Sequence, residues 1–406
     1  MTAVISISIY ILISVLFVWG VKKTQFNKCL NGEYCGDSKT SKEKWLNRLQ
    51  IFGVAVLFSV LYTLYNVYCT KTGENMGGDR FNYSFEFEEG RKTSIGLTLV
   101  FKIVKSFSGN IFDVFYITTF LYVFTCIYVF IYGSGNNKAA LTFFVLTDAI
   151  FFSFTALKQI YACMFTSVCF MLLTTKKRCI KRSVVCWILI FLSCIFHDSA
   201  IVMIPVYLGA LFVEQDKGSF RIKYVLIVLA VFFVLFDKIA ILCSELLSPL
   251  IPDIAAKIKG YFTTSRYEAG ASSFAFIKGA PFYAAFIYGT IKRDDFIGKI
   301  ENYDLYLYLS ALAAGMYFCM IYSYWMYRAT AFFYVPVAIF CGKLREQLNS
   351  TDRKMLSEQL NGEEKNILQN QYSREESIIF DISIYFTMFV ILLRWIILIY
   401  RNYGGF

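Results

Sequence analysis

Residues 157–200 read LKQIYACMFTSVCFMLLTTKKRCIKRSVVCWILIFLSCIFHDSA. Two apolar runs flank one basic knot, Lys176-Lys177-Arg178-Cys179-Ile180-Lys181-Arg182, and no acidic residue appears before Asp198. Each run approaches the length that crosses a hydrocarbon core of roughly 30 Å. The knot is too densely charged to lie in lipid, so the stretch reads as a span, a cytoplasmic turn and a second span. Outward from it, the same alternation fills the 406 residues: 57% are hydrophobic, 19% aromatic and 17% charged. Globular chains carry roughly 25% charged residues. A soluble enzyme, a nucleic-acid binder and a secreted disulfide scaffold are all excluded by this pattern. The runs are continuously apolar, so helices are expected and a β-barrel is not.

Twelve spans are expected, at roughly 3–20, 49–69, 111–132, 139–157, 159–175, 183–196, 199–213, 224–247, 273–290, 304–322, 329–342 and 378–399. Residues 95–107 carry Lys102 and Lys105 and are too short to cross, so they are expected as an interfacial or re-entrant helix. The chain then reads as one transmembrane domain, 1–406. It has an outer loop with that helix at 70–110, an outer loop at 248–272 and a cytoplasmic loop at 343–377. On this topology 25 of the 40 Lys and Arg residues lie inside and 12 outside, in keeping with the positive-inside rule. The net charge of +11 is therefore mainly a topology signal. The first run has no basic residue before it and Lys22-Lys23 after it, the reverse of a cleaved signal peptide. Both termini are expected outside. Seven of the twelve cysteines fall in or at the ends of apolar runs, and Cys29 and Cys35 lack a second pair at zinc spacing. Neither a disulfide framework nor a metal site is expected.

The polar residues that need explaining gather on the outer side. Gly77-Gly78-Asp79-Arg80-Phe81-Asn82-Tyr83-Ser84-Phe85-Glu86-Phe87-Glu88-Glu89 mixes carboxylates, an arginine and four aromatic rings. Rings stack on the apolar faces of sugars while paired polar groups take hydroxyls; the plain alternative is a solvated loop anchored at the headgroups. Lys158 and Gln159 sit where two spans meet with almost no loop, and snorkelling competes with anion binding there. The one histidine, His197, interrupts a run too long for one span, beside Asp198 and Ser199. A structural histidine is the usual case, but this one can exchange a proton near neutral pH. Arg266 with Tyr267, and Tyr327 with Arg328, complete the set. Arginine suits a diphosphate through its planar fork, and an interfacial anchor is the alternative.

The order of these features resembles the EpsG-like branch of the Wzy-type polysaccharide polymerases. The resemblance rests on Gly77-x-Asp79-x-x-x-Tyr83, a surface helix, Lys158-Gln159 opening a span, His197-x-Ser199-Ala200 at a helical break, and Arg328 opening a late span. It implies a polytopic all-α membrane glycosyltransferase of the broad GT-C type in the bacterial cytoplasmic membrane. The implied substrates are oligosaccharide repeat units on undecaprenyl diphosphate, joined at the outer face of that membrane. A chain-length regulator is an implied partner, and nucleic acid is not. Lys158 stands where the resemblance leads one to expect arginine.

The chemistry such a reaction needs can be assigned. Lys158, Arg266 and Arg328 would neutralise the diphosphate, and His197 or Asp79 would take the acceptor proton. Arg80, Tyr83, Glu86, Gln159, Ser199, Tyr267 and Tyr327 would line the substrate. No cofactor is expected. Asp79, Glu86 and Glu88 could instead offer oxygen ligands to Mg²⁺, but no loop spacing argues for it. A flippase for the same lipid, an O-antigen-ligase-like enzyme and a membrane acyltransferase remain as alternatives. The absence of internal repeats and the gathering of polar groups at one face favour an enzyme over a transporter.

Overall fold

The computed structural model describes residues 2–23, 41–71, 78–90, 93–134, 138–146, 149–214, 220–263, 279–322 and 326–359. Among them the chain is all-helical, with one isolated bridge between Ile297 and Ile300 and no strand. It divides into two compact units, and the boundary falls between Ile204 and Pro205.

The first unit holds α1 (Thr2–Lys23), α2 (Ser41–Lys71), α3 (Gly78–Glu89), α4 (Ile95–Ser106), α5 (Ile111–Ser134), α6 (Lys138–Leu146), α7 (Ala149–Phe152), α8 (Leu157–Thr175) and α9 (Ile180–Phe196). Helices α1, α2, α5, α8 and α9 pack in sequence, each on the next. Lipid tails give no hydrophobic drive between helices, so small polar groups and close-packed rings hold such a row together. Ser14 Oγ lies 3.2 Å from Tyr62 Oη between α1 and α2. Asn66 Nδ2 donates to Thr119 Oγ1 at 2.9 Å between α2 and α5, and Thr118 Oγ1 to Tyr161 Oη at 3.1 Å between α5 and α8. Ser193 Oγ donates to the Ala162 carbonyl at 3.2 Å between α9 and α8. Helix α8 is the heart of the row: 72% of its apolar window is buried, against 39% for α2.

Among the described residues, three helices are long and apolar enough to cross a membrane: Leu49–Lys71, Ile111–Phe130 and Leu157–Thr175. Most other expected spans coincide with shorter helices, and 378–399 lies outside the described residues. The run 139–157 divides into α6 and α7. The apolar stretch through His197 breaks as expected: α9 ends at Phe196, a 3-10 helix covers Asp198–Val202, and α10 (Met203–Glu214) follows. Helix α4 lies where the interfacial helix was expected. Leu97, Phe101 and Val104 are buried on one side, while Ile95, Leu99, Ile103 and Phe107 form an exposed stripe beside Lys102.

The second unit contains α11 (Phe220–Val234), α12 (Phe236–Leu247), α13 (Pro252–Thr263), α14 (Ala280–Ile291), α15 (Arg293–Phe296), α16 (Tyr303–Phe318), α17 (Met326–Thr330) and α18 (Tyr334–Gln359). Helix α16 is its axis, buried along nearly its whole length and packed by α11, α14 and α18. Arg293 clamps its start, with Nε and Nη2 each 2.7 Å from a different oxygen of Asp304.

The structure differs from expectation at 224–247. This run is not one straight span but a pair, α11 and α12, bent by 78° at Leu235. A break in lipid strands carbonyls that must find other donors. The 3-10 turn that follows α16 supplies them: Tyr322 Oη donates to the Val234 carbonyl at 3.0 Å and Cys319 Sγ to the Phe233 carbonyl at 3.7 Å. Gly315 makes room, since a Cβ there would stand 2.0 Å from the Phe233 ring. Helices α12 and α13 pack together beyond the bend, so the expected loop at 248–272 contains helix as far as Thr263.

Candidate functional site

One end of the first unit collects the close of α2, all of α3 and α4, the start of α5, the start of α8 and the close of α9. Helix α3 forms there from a polar-aromatic sequence with Asp79 in its first turn, where a carboxylate complements the helix dipole. Its spacing sorts the side chains. Tyr83 and Phe87 turn inward and are buried, whereas Phe81 and Phe85 are exposed and stack edge-on at 4.6 Å. Asp79 and Glu86 are seven residues apart and share a stripe, both half-buried.

Arg80 fastens α3 to the unit. Its Nε donates to the Phe154 carbonyl at 2.8 Å, Nη1 to Thr70 Oγ1 at 2.9 Å and Nη2 to Asn66 Oδ1 at 2.6 Å. The guanidinium carbon lies 4.6 Å from the centre of the Phe115 ring. Burial pushes this arginine down to about 10, so it is still a cation at neutral pH. The structure thus turns three of its N–H groups to the protein. The holders were missed in the sequence; a lone Asn66 within an apolar span was the available signal, since such a side chain needs a partner in lipid.

Lys158, at the first turn of α8, meets α3 further along. Its Nζ is 2.8 Å from Glu86 Oε1 and 5.5 Å from the centre of the Tyr83 ring. Both partners keep an open side, at 24% and 19% exposure. Gln159, beside Lys158 in sequence, is buried within the unit. On α4, Lys105 donates to the Phe87 carbonyl and covers the Phe87 ring at 4.6 Å.

His197 caps α9 with extended backbone, its N–H donating to the Ser193 carbonyl at 2.9 Å. It is half-buried, as is Ser199 in the following turn. Its position is set by Phe196, which stacks on Tyr161 at 4.6 Å and lies under Gly96 of α4. A Cβ at residue 96 would come within 2.7 Å of that ring, so only glycine lets α4 lie so close. The first unit therefore brings Asp79, Arg80, Tyr83, Glu86, Lys158 and His197 to one end. Arg328 and Tyr327 belong to the second unit, on α17, with the Arg328 side chain half-buried. Arg266 and Tyr267 lie outside the described residues. Among the described residues no three His, Cys, Asp or Glu side chains group to hold a metal ion.

Fold and site together define a class: an all-helical membrane protein with cations, carboxylates and rings gathered at one end of a helical row. A family model described as the EpsG family matches residues 55–357, well over half of the chain, and the chain belongs to that family. It is accordingly a membrane protein of the polysaccharide-polymerase type. The match takes in α3, α8, His197 and Arg328. No curated protein and no solved structure matches the chain.

Proposed function

We propose that the protein is a glycosyltransferase that polymerises oligosaccharide repeat units carried on undecaprenyl diphosphate. In this reading the fold is GT-C-like with about twelve spans, and the α3–α4 end faces the outer side of the bacterial cytoplasmic membrane. The observation that carries it is the placement of Lys158 and Glu86 against Tyr83, beside the exposed Phe81–Phe85 pair, in a chain of the EpsG family.

Transfer needs two kinds of help. The leaving diphosphate needs cations, which Lys158, Arg328 and Arg266 would supply by electrostatic stabilisation. The attacking hydroxyl must lose its proton, and the sequence nominates His197 and Asp79 for that role. Because the diphosphate leaves as a stable anion, it needs no general acid. Tyr83, Tyr267, Tyr327, Ser199 and Gln159 are assigned to lining and orienting substrate. A chain-length regulator would be a partner in the cell.

The test is the polymer made in cells. Asp79→Ala and His197→Ala, each at normal protein level, are expected to shorten or abolish it. If both leave its length and yield unchanged, neither residue serves the reaction.

A further inference from the structure

The Glu86–Lys158 pair has a feature that an ordinary salt bridge lacks. Lys158 engages Oε1, while Oε2 is buried and has no hydrogen-bond partner among the described residues. An ionised carboxylate offers about four acceptor positions. A buried oxygen left without a donor is unfavourable and calls for an explanation, of which a ligand's donor is one. The surroundings say what kind of donor fits. Phe85 is adjacent in sequence and exposed with Phe81, a surface on which the apolar face of a sugar can stack. A sugar seated there would bring a hydroxyl to α3, and Lys158 marks the anionic side of the same place.

Resting on the polymerase reading above, we propose that Glu86 is the catalytic base, with His197 and Asp79 serving the reaction by holding substrate rather than by taking the proton. Substrate binding uncovers the buried Oε2 of Glu86, and the acceptor sugar's hydroxyl gives its proton to it. The oxygen's electron pair forms the new bond to the donor's anomeric carbon. The bond from that carbon to the diphosphate oxygen breaks, and its electron pair leaves with the lipid diphosphate. Lys158 has three N–H donors, and Glu86 Oε1 takes one of them. The others are available to the leaving phosphate, so one ion pair links the site of proton removal to the site of charge release. Asp79 shares the stripe of α3 but lies two turns away, about 10 Å along the axis at 1.5 Å per residue. That separation puts Asp79 out of reach of the same hydroxyl.

The experiment uses the purified full chain in lipid, with a lipid-diphosphate-linked repeat unit as donor and acceptor. Glu86→Gln keeps an oxygen for Lys158 but cannot take the proton. It is expected to lower kcat by about 100-fold or more, with KM near the wild-type value. The wild type is expected to lose rate on the acid side, as a reaction that needs an ionised base must, and this variant is not. Glu86→Asp, measured alongside, should keep the acid-side fall at a reduced kcat. This second variant decides the matter should Glu86→Gln elute aggregated. Wild-type kcat and an unchanged acid-side fall in Glu86→Gln, or a Glu86→Asp variant altered only in KM, overturn the assignment and leave the polymerase reading standing. A wild-type protein that makes no polymer overturns both.

Discussion

The guanidinium of Arg80 and the ammonium of Lys158 stand at the same end of one unit and are engaged in different ways. Arg80 bonds Asn66, Thr70 and the Phe154 carbonyl, so its loss leaves buried acceptors without donors. Hydrogen bonds to charged groups are worth about 1.5–3 kcal/mol each, and Arg80→Ala is expected to cost about 3 kcal/mol. Lys158 forms one ion pair with an open side, and a glutamine there can still donate to Glu86 Oε1, so the substitution is expected to cost about 1 kcal/mol. Lys158→Gln should therefore leave the melting temperature in detergent close to wild type and still abolish polymer. Thermal unfolding beside a polymer assay separates the two: a stable, inactive Lys158→Gln protein and an unstable Arg80→Ala protein are expected. Both cations were legible in the sequence, since charge at the edge of a span stands out. Their partners were not. Phe154 lies 74 residues from Arg80 and Glu86 lies 72 from Lys158, and no local pattern links positions so distant.

At the scale of elements, a separate short helix at α4 could be read from its length and from Lys102 and Lys105, and the break at His197 from a run too long for one span. The 78° bend between α11 and α12 was not expected. Asp237-Lys238, charged in the middle of the run 224–247, was the local signal, while the groups that stabilise its break, Cys319 and Tyr322, come from 86 and 88 residues further on. Gly315 is the element that permits the bend, because it admits the Phe233 ring. Gly315→Ala is expected to destabilise the second unit by about 1–3 kcal/mol, the usual range for overpacking. Adding Phe233→Ala should recover part of that loss, a coupling of about 0.5–3 kcal/mol typical of residues in contact. Unfolding midpoints of the two single variants and the double would show it; strictly additive effects would mean that the ring and the glycine do not constrain one another.

Over the whole molecule, composition and periodicity were enough to make the chain a helical membrane protein, and the order of its polar motifs pointed to the family that the match over 55–357 now shows. What the order of motifs could not give is which groups stand together. The first unit supplies part of that answer by gathering Asp79, Arg80, Tyr83, Glu86, Lys158 and His197 at one end, around the ion pair of α3 and α8. The central claim is that this protein joins lipid-linked repeat units to one another. The most direct test is to incubate the purified protein, in lipid, with a single lipid-diphosphate-linked repeat unit and no other enzyme, and to separate the products by size. A ladder rising by one repeat unit per step, with release of lipid diphosphate, is the predicted result. Movement of the lipid across the bilayer with no new glycosidic bond, or a substrate left unchanged by folded protein, would contradict it.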